Sequence, residues 1–238
     1  MDKADILNKT EVDQLVRFII HDLEKPMAVN ERILTRILNG SLDTAKEPHR
    51  RLIGAAVQAS SRLRRMLEDL NQIIQGHKPD IKNQPIKLCQ FIDNLTQEFI
   101  PLAESENIKL ISECEADHNF FSDLDLLHRI VENYLYNAFN HNSSSTGYVK
   151  LNATIDHQTN DHQTKILIRV ENSGLSIPQE HLEDIFKAGV QLTLRAGKIW
   201  RGDGLGLAFC RFASFAIGGK VWAENLPDRS GVAFCLTI

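Results

Sequence analysis

Apolar residues recur at helical spacing in the first third of the chain. Between residues 10 and 39 the positions three or four apart hold Val12, Val16, Ile19, Leu23, Ile33 and Ile37, with Pro26 and Asn30 at the two positions between Leu23 and Ile33. A second run, from about residue 44, repeats the spacing: Leu52, Ala56, Ala59, Leu63, Met66, Leu70 and Ile73. Two helices with matching apolar stripes and a short connection predict an antiparallel hairpin. Because one hairpin leaves much apolar surface in water, we expect a homodimer that forms a four-helix bundle.

After a polar stretch at residues 75–84, the pattern becomes a mixture of helices and strands. Helical periodicity predicts four helices, at residues 88–105, 123–140, 179–187 and 205–217. Alternation of apolar and polar residues predicts five strands, at residues 108–111, 149–155, 165–171, 220–224 and 232–238. This order indicates a layered α+β domain. We therefore divide the chain into two domains, residues 1–80 and 81–238.

Net charge, the length of apolar runs and the positions of the cysteines limit the class of protein to which the chain can belong. A net charge of −4 provides no basic surface for nucleic acid or an anionic membrane. No signal peptide begins the sequence and no apolar run approaches the length of a membrane span. We therefore expect a cytoplasmic protein that contacts neither nucleic acid nor membrane and has no room for a sensory domain before its first helix. The cysteines are scattered and predict reduced thiols without a disulfide or zinc site; they are Cys89, Cys114, Cys210 and Cys235.

The sequence His21-Asp22-Leu23-Glu24-Lys25-Pro26 interrupts the first helix with polar residues. The register of the apolar stripe puts His21 on the opposite, exposed side. A neutral imidazole is a nucleophile near pH 7, and Asp22 can orient it and stabilise the proton that it releases. Pro26 removes a backbone donor and loosens the helix just after the histidine. A lone surface histidine usually has no chemical role, so the interpretation of His21 as a phosphoryl acceptor depends on the second domain.

Three further patterns carry candidate chemistry. The glycine-rich run from Gly202 to Leu207 precedes an apolar helix, where closely spaced backbone amides and a helix N-terminus favour an anion. Asn133 and Asn137 are one helical turn apart, so both amides share a face and can meet a phosphate, a hydrated cation or ordinary capping partners. Asn172 ends a strand before Gly174 and can either contact a nucleobase edge or brace the turn.

Together these motifs resemble, in chain order, those of two-component sensor histidine kinases. Residues 21–26 are similar to the phosphoacceptor motif, and residues 133–138 to the asparagine box. Residues 170–178 are similar to the first glycine box, and residues 202–207 to the second. The resemblance covers almost all of the chain from about residue 10.

The resemblance implies a dimerisation and phosphotransfer hairpin followed by an α/β-sandwich ATP-binding domain of the Bergerat (GHKL) type. It implies that His21 and Asp22 are catalytic and that ATP and Mg²⁺ are the cofactors. The implied metal ligand is Asn137. The implied cofactor-binding positions are Asn133, Asn137, Asn172, Gly174, Gly202, Gly204, Leu205 and Gly206.

The function that follows is a soluble histidine autokinase. It would phosphorylate His21 from ATP and pass the phosphoryl group to an aspartate of a response-regulator receiver domain, under control of a separate sensory or regulatory protein. Among the departures from the family pattern, Asn172 replaces the usual Asp, Ser176 a glycine and Asn140 a basic residue, and Gly189 and Lys25 also differ from the family. The first three departures favour an alternative, a kinase-like phosphotransfer protein or pseudokinase that has a vestigial ATP domain and acts as a relay or docking module. The intact run at residues 202–207 and the pair Asn133 and Asn137 favour the kinase.

Overall fold

The chain divides into two compact units, residues 1–77 and 78–238. The computed structural model describes residues 27–28, 30–37, 39–40, 49, 53–54, 56–57, 60, 63, 67, 81–115, 118–142, 147–156, 165–187, 206–227 and 230–238. None of the helices in these ranges combines the length and hydrophobicity needed to cross a lipid bilayer.

In the first unit, residues 30–37 are helical and Ile33 is buried. The Asn30 side-chain nitrogen donates to Ser60 Oγ at 2.9 Å, and that hydroxyl donates to Ala56 O at 3.0 Å. Residue 30 therefore lies beside residue 60, as a hairpin requires. Most of the predicted hairpin lies outside the described residues, so the hairpin and its dimerisation stay predictions.

The second unit contains seven strands and three helices among its described residues. The strands are β1 (Asn83–Lys87), β2 (Lys109–Cys114), β3 (Asn119–Asp123), β4 (Tyr148–Asp156), β5 (Lys165–Ser173), β6 (Lys220–Asn225) and β7 (Gly231–Thr237). The helices are α1 (Leu88–Glu106), α2 (Leu124–Asn140) and α3 (Gly206–Ala216). Two short 3-10 turns follow β5, at Gln179–His181 and Asp184–Phe186.

Five of the strands form one sheet in the order β2-β4-β5-β7-β6, in which β2 pairs parallel with β4 and the other pairs are antiparallel. β1 and β3 form a separate antiparallel pair. Alternate residues of β5 are buried, which shows that one face of the large sheet covers the core. The helices bury their apolar stripes in the same core. This arrangement confirms the predicted α+β class for the second unit.

Two residues, Asp123 and Tyr134, fix α2 in this core. Asp123 caps its N-terminus, because Oδ1 accepts from Leu126 N at 3.0 Å while Oδ2 accepts from Lys82 N at 2.9 Å. Tyr134 is fully buried; its ring stacks on Phe234 with 5.5 Å between centroids, and its hydroxyl donates to Cys235 O at 3.1 Å. The helix that carries the two asparagines is therefore held both at its start and at its middle.

The structure differs from the predicted elements in two places. β1 and β3 were not expected, since β1 contains Pro85 and mostly polar residues, and its stability comes from pairing with β3. The helix predicted at residues 179–187 consists instead of the two 3-10 turns. Its buried residues, Leu182, Ile185 and Phe186, have a spacing that short 3-10 turns also satisfy.

The prediction of four reduced thiols was wrong for one pair. Cys89 and Cys114 form a disulfide, with their Cα atoms 5.5 Å apart. Cys89 is the second residue of α1 and Cys114 the last of β2, so the chain leaves along the helix and returns along the strand. A separation of 25 residues hid this proximity in the sequence. Cys210 and Cys235 are buried and take no part in the disulfide.

Candidate functional site

The structure brings Asn133 next to the second glycine box. Asn133 is half-buried on α2, and its side-chain nitrogen donates to Arg129 O at 3.0 Å. Gly206 is the first residue of α3, and a Cβ atom built there would lie 2.7 Å from Asn133 Oδ1. With glycine at this position the backbone of α3 approaches Asn133 closely, and a larger residue would require the end of the Asn133 side chain to shift.

Packing between α2 and α3 maintains this approach. The Arg129 guanidinium lies over the Phe209 ring, 4.1 Å from its centroid. One residue further along α3, Cys210 Sγ donates to Ile130 O at 3.7 Å. The start of α3 is thus oriented by contacts within one turn of Asn133.

Asn172 carries an unsatisfied acceptor. It is fully buried at the end of β5, on the face that covers the core. Its side-chain nitrogen donates to Ser173 O at 3.2 Å, whereas Oδ1 has no hydrogen-bond partner in the described part of the chain. A buried polar atom left unpaired costs about 1–3 kcal/mol. A ligand N–H group directed at this oxygen, such as the amino group of adenine, would remove that cost.

Asn137 and Asn172 lie towards the same end of the domain. Asn137 is half-buried in the last turn of α2. Just beyond the helix, Asn142 forms a bridge with Gly174, and Ser173 Oγ donates to Asn142 Oδ1 at 3.2 Å. The C-terminal ends of α2 and β5 are therefore adjacent, which joins the asparagine box to the first glycine box.

His141, which the sequence analysis did not single out, follows α2 directly. Its Nε2 is shielded from solvent, and burial lowers the pKa of the ring from 6.5 to about 4. The imidazole is therefore neutral at pH 7. No sequence signal marks this residue, because the pKa depends on burial that only the packed end of α2 creates.

The predicted cofactors fit the described residues. Among those residues no group of three or more His, Cys, Asp and Glu side chains is arranged to hold a metal ion. Mg²⁺ is commonly held by few protein ligands together with substrate phosphates and water, so a single amide oxygen at Asn137 is compatible with its chemistry. The orphaned oxygen of Asn172 suits a nucleobase.

Several predicted site residues lie outside the described part of the chain. They are His21, Asp22, Gly202, Gly204 and Leu205. Their roles remain predictions. Of the predicted positions that the structure describes, Asn133 contacts the Gly206 position, while Asn137, Asn172 and Gly174 belong to the joined ends of α2 and β5.

Comparison with known proteins identifies the second unit. Residues 122–238 match the family described as histidine kinase-, DNA gyrase B-, and HSP90-like ATPase. That range begins just before the cap of α2 and runs to the end of β7. It therefore contains both asparagines of α2, the first glycine box and Gly206.

Relatives extend the similarity beyond this domain. The adaptive-response sensory kinase SasA of Synechococcus sp. (strain JA-3-3Ab) is 25% identical over 232 residues, which are 95% of this chain and 59% of that protein. This chain thus spans about three fifths of the length of that relative.

Solved structures of histidine kinases are also similar to this chain. The nucleotide-free catalytic domain of histidine kinase ThkA is 28% identical with a TM-score of 0.54, covering 66% of this chain and 95% of that one. The structure of ThkA in complex with response regulator protein TrrA is 23% identical, with a TM-score of 0.60. The match covers 92% of this chain and 59% of that one, and it supports the fold. Residues 122–238 therefore match an ATPase domain of the histidine kinase, DNA gyrase B and HSP90 type, and almost the whole chain is similar to sensory histidine kinases.

Proposed function

We propose that this protein is an ATP-dependent histidine kinase that phosphorylates its own His21 and transfers the phosphoryl group to an aspartate of a response-regulator receiver domain. The observation that carries the proposal is the buried, unpartnered Oδ1 of Asn172 at the end of β5. A protein that binds ATP must recognise adenine. The adenine amino group can donate a hydrogen bond to this unpartnered oxygen.

The residues of the second unit have separate roles in this proposal. Asn172 Oδ1 accepts a hydrogen bond from the adenine amino group. Asn133 and Asn137, on one face of α2, line the phosphate region, and Asn137 provides an oxygen ligand for Mg²⁺. The glycines from 202 to 206 let the backbone approach the phosphates. Bound Mg²⁺ supplies positive charge that offsets charge on the phosphates.

His21 and Asp22 carry out the transfer. The imidazole nitrogen of His21 forms a bond with the γ-phosphorus as the bond between that phosphorus and the β,γ-bridging oxygen breaks, and ADP leaves. Asp22 orients the ring and stabilises the proton that the ring carries until it passes to solvent. A phosphohistidine then serves as donor to the aspartate of the receiver domain.

The first unit is proposed to be a homodimerising hairpin, residues 1–80. The hydrogen bond between Asn30 and Ser60 supports a hairpin. Large apolar side chains with more than half of their surface exposed, among them Leu34, Val57 and Leu67, support its burial against a second copy. The reported complex of ThkA with TrrA supports a response regulator as the partner.

The test is incubation of the purified chain with γ-labelled ATP and Mg²⁺. We expect label that is acid-labile and base-stable, as a phosphohistidine is, and that His21→Ala abolishes. His181→Ala serves as the matched control, because His181 lies partly exposed in a 3-10 turn after β5, outside the proposed site. Label that survives in His21→Ala would contradict the assignment of the acceptor.

A second candidate function is a phosphorelay module whose ATP domain no longer transfers phosphate from ATP. Asn140, at the exposed end of α2, favours it because an uncharged side chain stands where the family has a basic one. This candidate predicts no label from ATP. It predicts label on His21 when a phosphorylated receiver domain is the donor.

A further inference from the structure

The loop that follows Asn172 runs across the end of the sheet. Gly174 N donates to Ser230 O at 2.9 Å, immediately before β7. Ile177, further along, is nearly fully buried, with 1% of its surface exposed, and its backbone meets Asn225 at the end of β6. The loop at residues 174–178 therefore spans from β5 over β7 to β6.

Asn225 binds the Ile177 backbone through both of its polar atoms. Its Oδ1 accepts from Ile177 N at 2.8 Å, and its Nδ2 donates to Ile177 O at 2.7 Å. A planar amide is the uncharged side chain that offers an acceptor and a donor in this arrangement. The two bonds set the orientation of the loop as well as its position.

The same loop is anchored at its other end by Ser173. Tyr148 N donates to Ser173 Oγ at 2.9 Å, and this hydroxyl contacts Asn142 Oδ1 at 3.2 Å. Asn172 and Asn225 both pair with Val232 and so occupy one row of the sheet. The two anchors of the loop, Ser173 and Asn225, therefore lie on either side of the buried Asn172 amide.

The orientation of the side chain at residue 172 matters more for an asparagine amide than it would for an aspartate carboxylate. The two oxygens of a carboxylate are equivalent acceptors, whereas an amide has one acceptor and one donor. The bond from Asn172 Nδ2 to Ser173 O is what leaves Oδ1 available. If the Ser173 peptide turned, the Asn172 amide would lose this bond and could present its N–H groups to a ligand amino group, which they would repel.

We infer that Asn225 is a positioning residue: by clamping Ile177 it holds the loop so that Asn172 presents its oxygen to the base. The inference rests on the proposed function and adds that the amide clamp preserves recognition of a 6-aminopurine by a site that has asparagine in place of aspartate. Asn225 does not contact the nucleotide.

The experiment compares two ligands on the full chain. The dissociation constants of ATP and of purine riboside triphosphate, which lacks the 6-amino group, are measured with Mg²⁺ by calorimetry. We expect the wild-type chain to bind ATP about fivefold more tightly, as one hydrogen bond to the amino group provides. Asn225→Ala is expected to bring the ratio close to one.

A second arm separates positioning from a general loss of structure. In an Asn172→Asp background the acceptor no longer depends on orientation, so adding Asn225→Ala is expected to leave the preference for ATP intact. Loss of the preference in that double variant would overturn the inference in favour of a structural role. Asn94→Ala, at an exposed position of α1, is the matched control and should behave as the wild type does.

The outcomes distinguish the two proposals. A wild-type chain that prefers ATP, with an equal preference in Asn225→Ala, overturns the inference and leaves the kinase proposal standing. A wild-type chain that binds neither ligand overturns both. If circular dichroism shows Asn225→Ala to be unfolded, Ser173→Ala removes the other anchor and is expected to reduce the same ratio, and an unchanged ratio overturns the inference.

Discussion

A buried amide can play either of two opposite roles, because its oxygen accepts hydrogen bonds and its nitrogen donates them. At Asn172 the nitrogen is engaged by Ser173 O, so the oxygen is the atom left for a ligand. The sequence places an amide at the end of a strand and leaves open whether it reads a base or braces the turn. Its burial and the direction of its bond to Ser173 favour the first role.

The contact between Asn133 and Gly206 leads to a prediction at the same scale. In Gly206→Ala the new methyl group would lie 2.7 Å from Asn133 Oδ1 and would displace that side chain. We expect the dissociation constant of ATP to rise about fivefold, equivalent to one lost polar interaction. Because Gly206 is the first residue of α3, the preference for alanine in a helix interior applies only in part, and we expect little change in stability. Calorimetry and thermal unfolding measure the two effects.

Gly54→Ala is the matched control, since a Cβ atom there meets nothing within 4 Å. It should leave ATP affinity unchanged. An unchanged affinity in Gly206→Ala as well would mean that Asn133 can move aside at no cost to binding.

Among the elements, α2 organises the candidate site. Its boundaries were predicted to within one residue from the apolar stripe alone, because periodicity indicated 123–140 and the helix spans Leu124–Asn140, directly after its Asp123 cap. Its neighbours were not. The approach of α3 at Gly206 and of β5 at Gly174 depends on long-range packing that a local pattern does not contain.

The link between α1 and β2 allows a prediction about stability. The disulfide closes a loop of 25 residues, which in the chain-entropy model stabilises the fold by about 3.5 kcal/mol. Cys114→Ser should therefore lower the free energy of unfolding by about this amount, as measured by urea denaturation without reducing agent. A reductant should destabilise the wild type and leave Cys114→Ser unaffected.

Thiol titration of the denatured wild-type chain checks the premise. Two of the four cysteines should react before reduction and all four afterwards. Four reactive thiols before reduction would show that the pair is not oxidised in the isolated protein.

At the scale of the whole molecule, the second unit has its own core and its own sheet. Each described residue proposed to contact nucleotide belongs to it. We therefore predict that a fragment of residues 78–238 unfolds in one cooperative transition and binds ATP with the affinity of the full chain. The measurements are calorimetric unfolding and binding, with the full chain as reference.

The same fragment should incorporate no label from γ-labelled ATP, because it lacks His21. Added to full-length chain, it should leave the stoichiometry of label per His21 unchanged. A fragment that is unfolded, or that binds ATP far more weakly than the full chain, would show that the site needs residues of the first unit.

The sequence alone determined the elements with strong periodicity and the motifs that lie within short stretches of chain. The helix from Leu124 to Asn140, the antiparallel strands β4 and β5 and the order of the four motifs were all recognisable, because their signals are local. The weakly patterned β1 and the 3-10 turns after β5 were predicted poorly for the same reason.

Tertiary structure decided which distant residues meet. The pairing of Cys89 with Cys114, the clamp of Asn225 on Ile177 and the lowered pKa of His141 all arise from neighbours remote in sequence or from burial. A local pattern specifies which face of a helix or strand is apolar. The identity of the atoms that pack against that face depends on the complete fold, and it is these atoms that give the amides of the site their orientation.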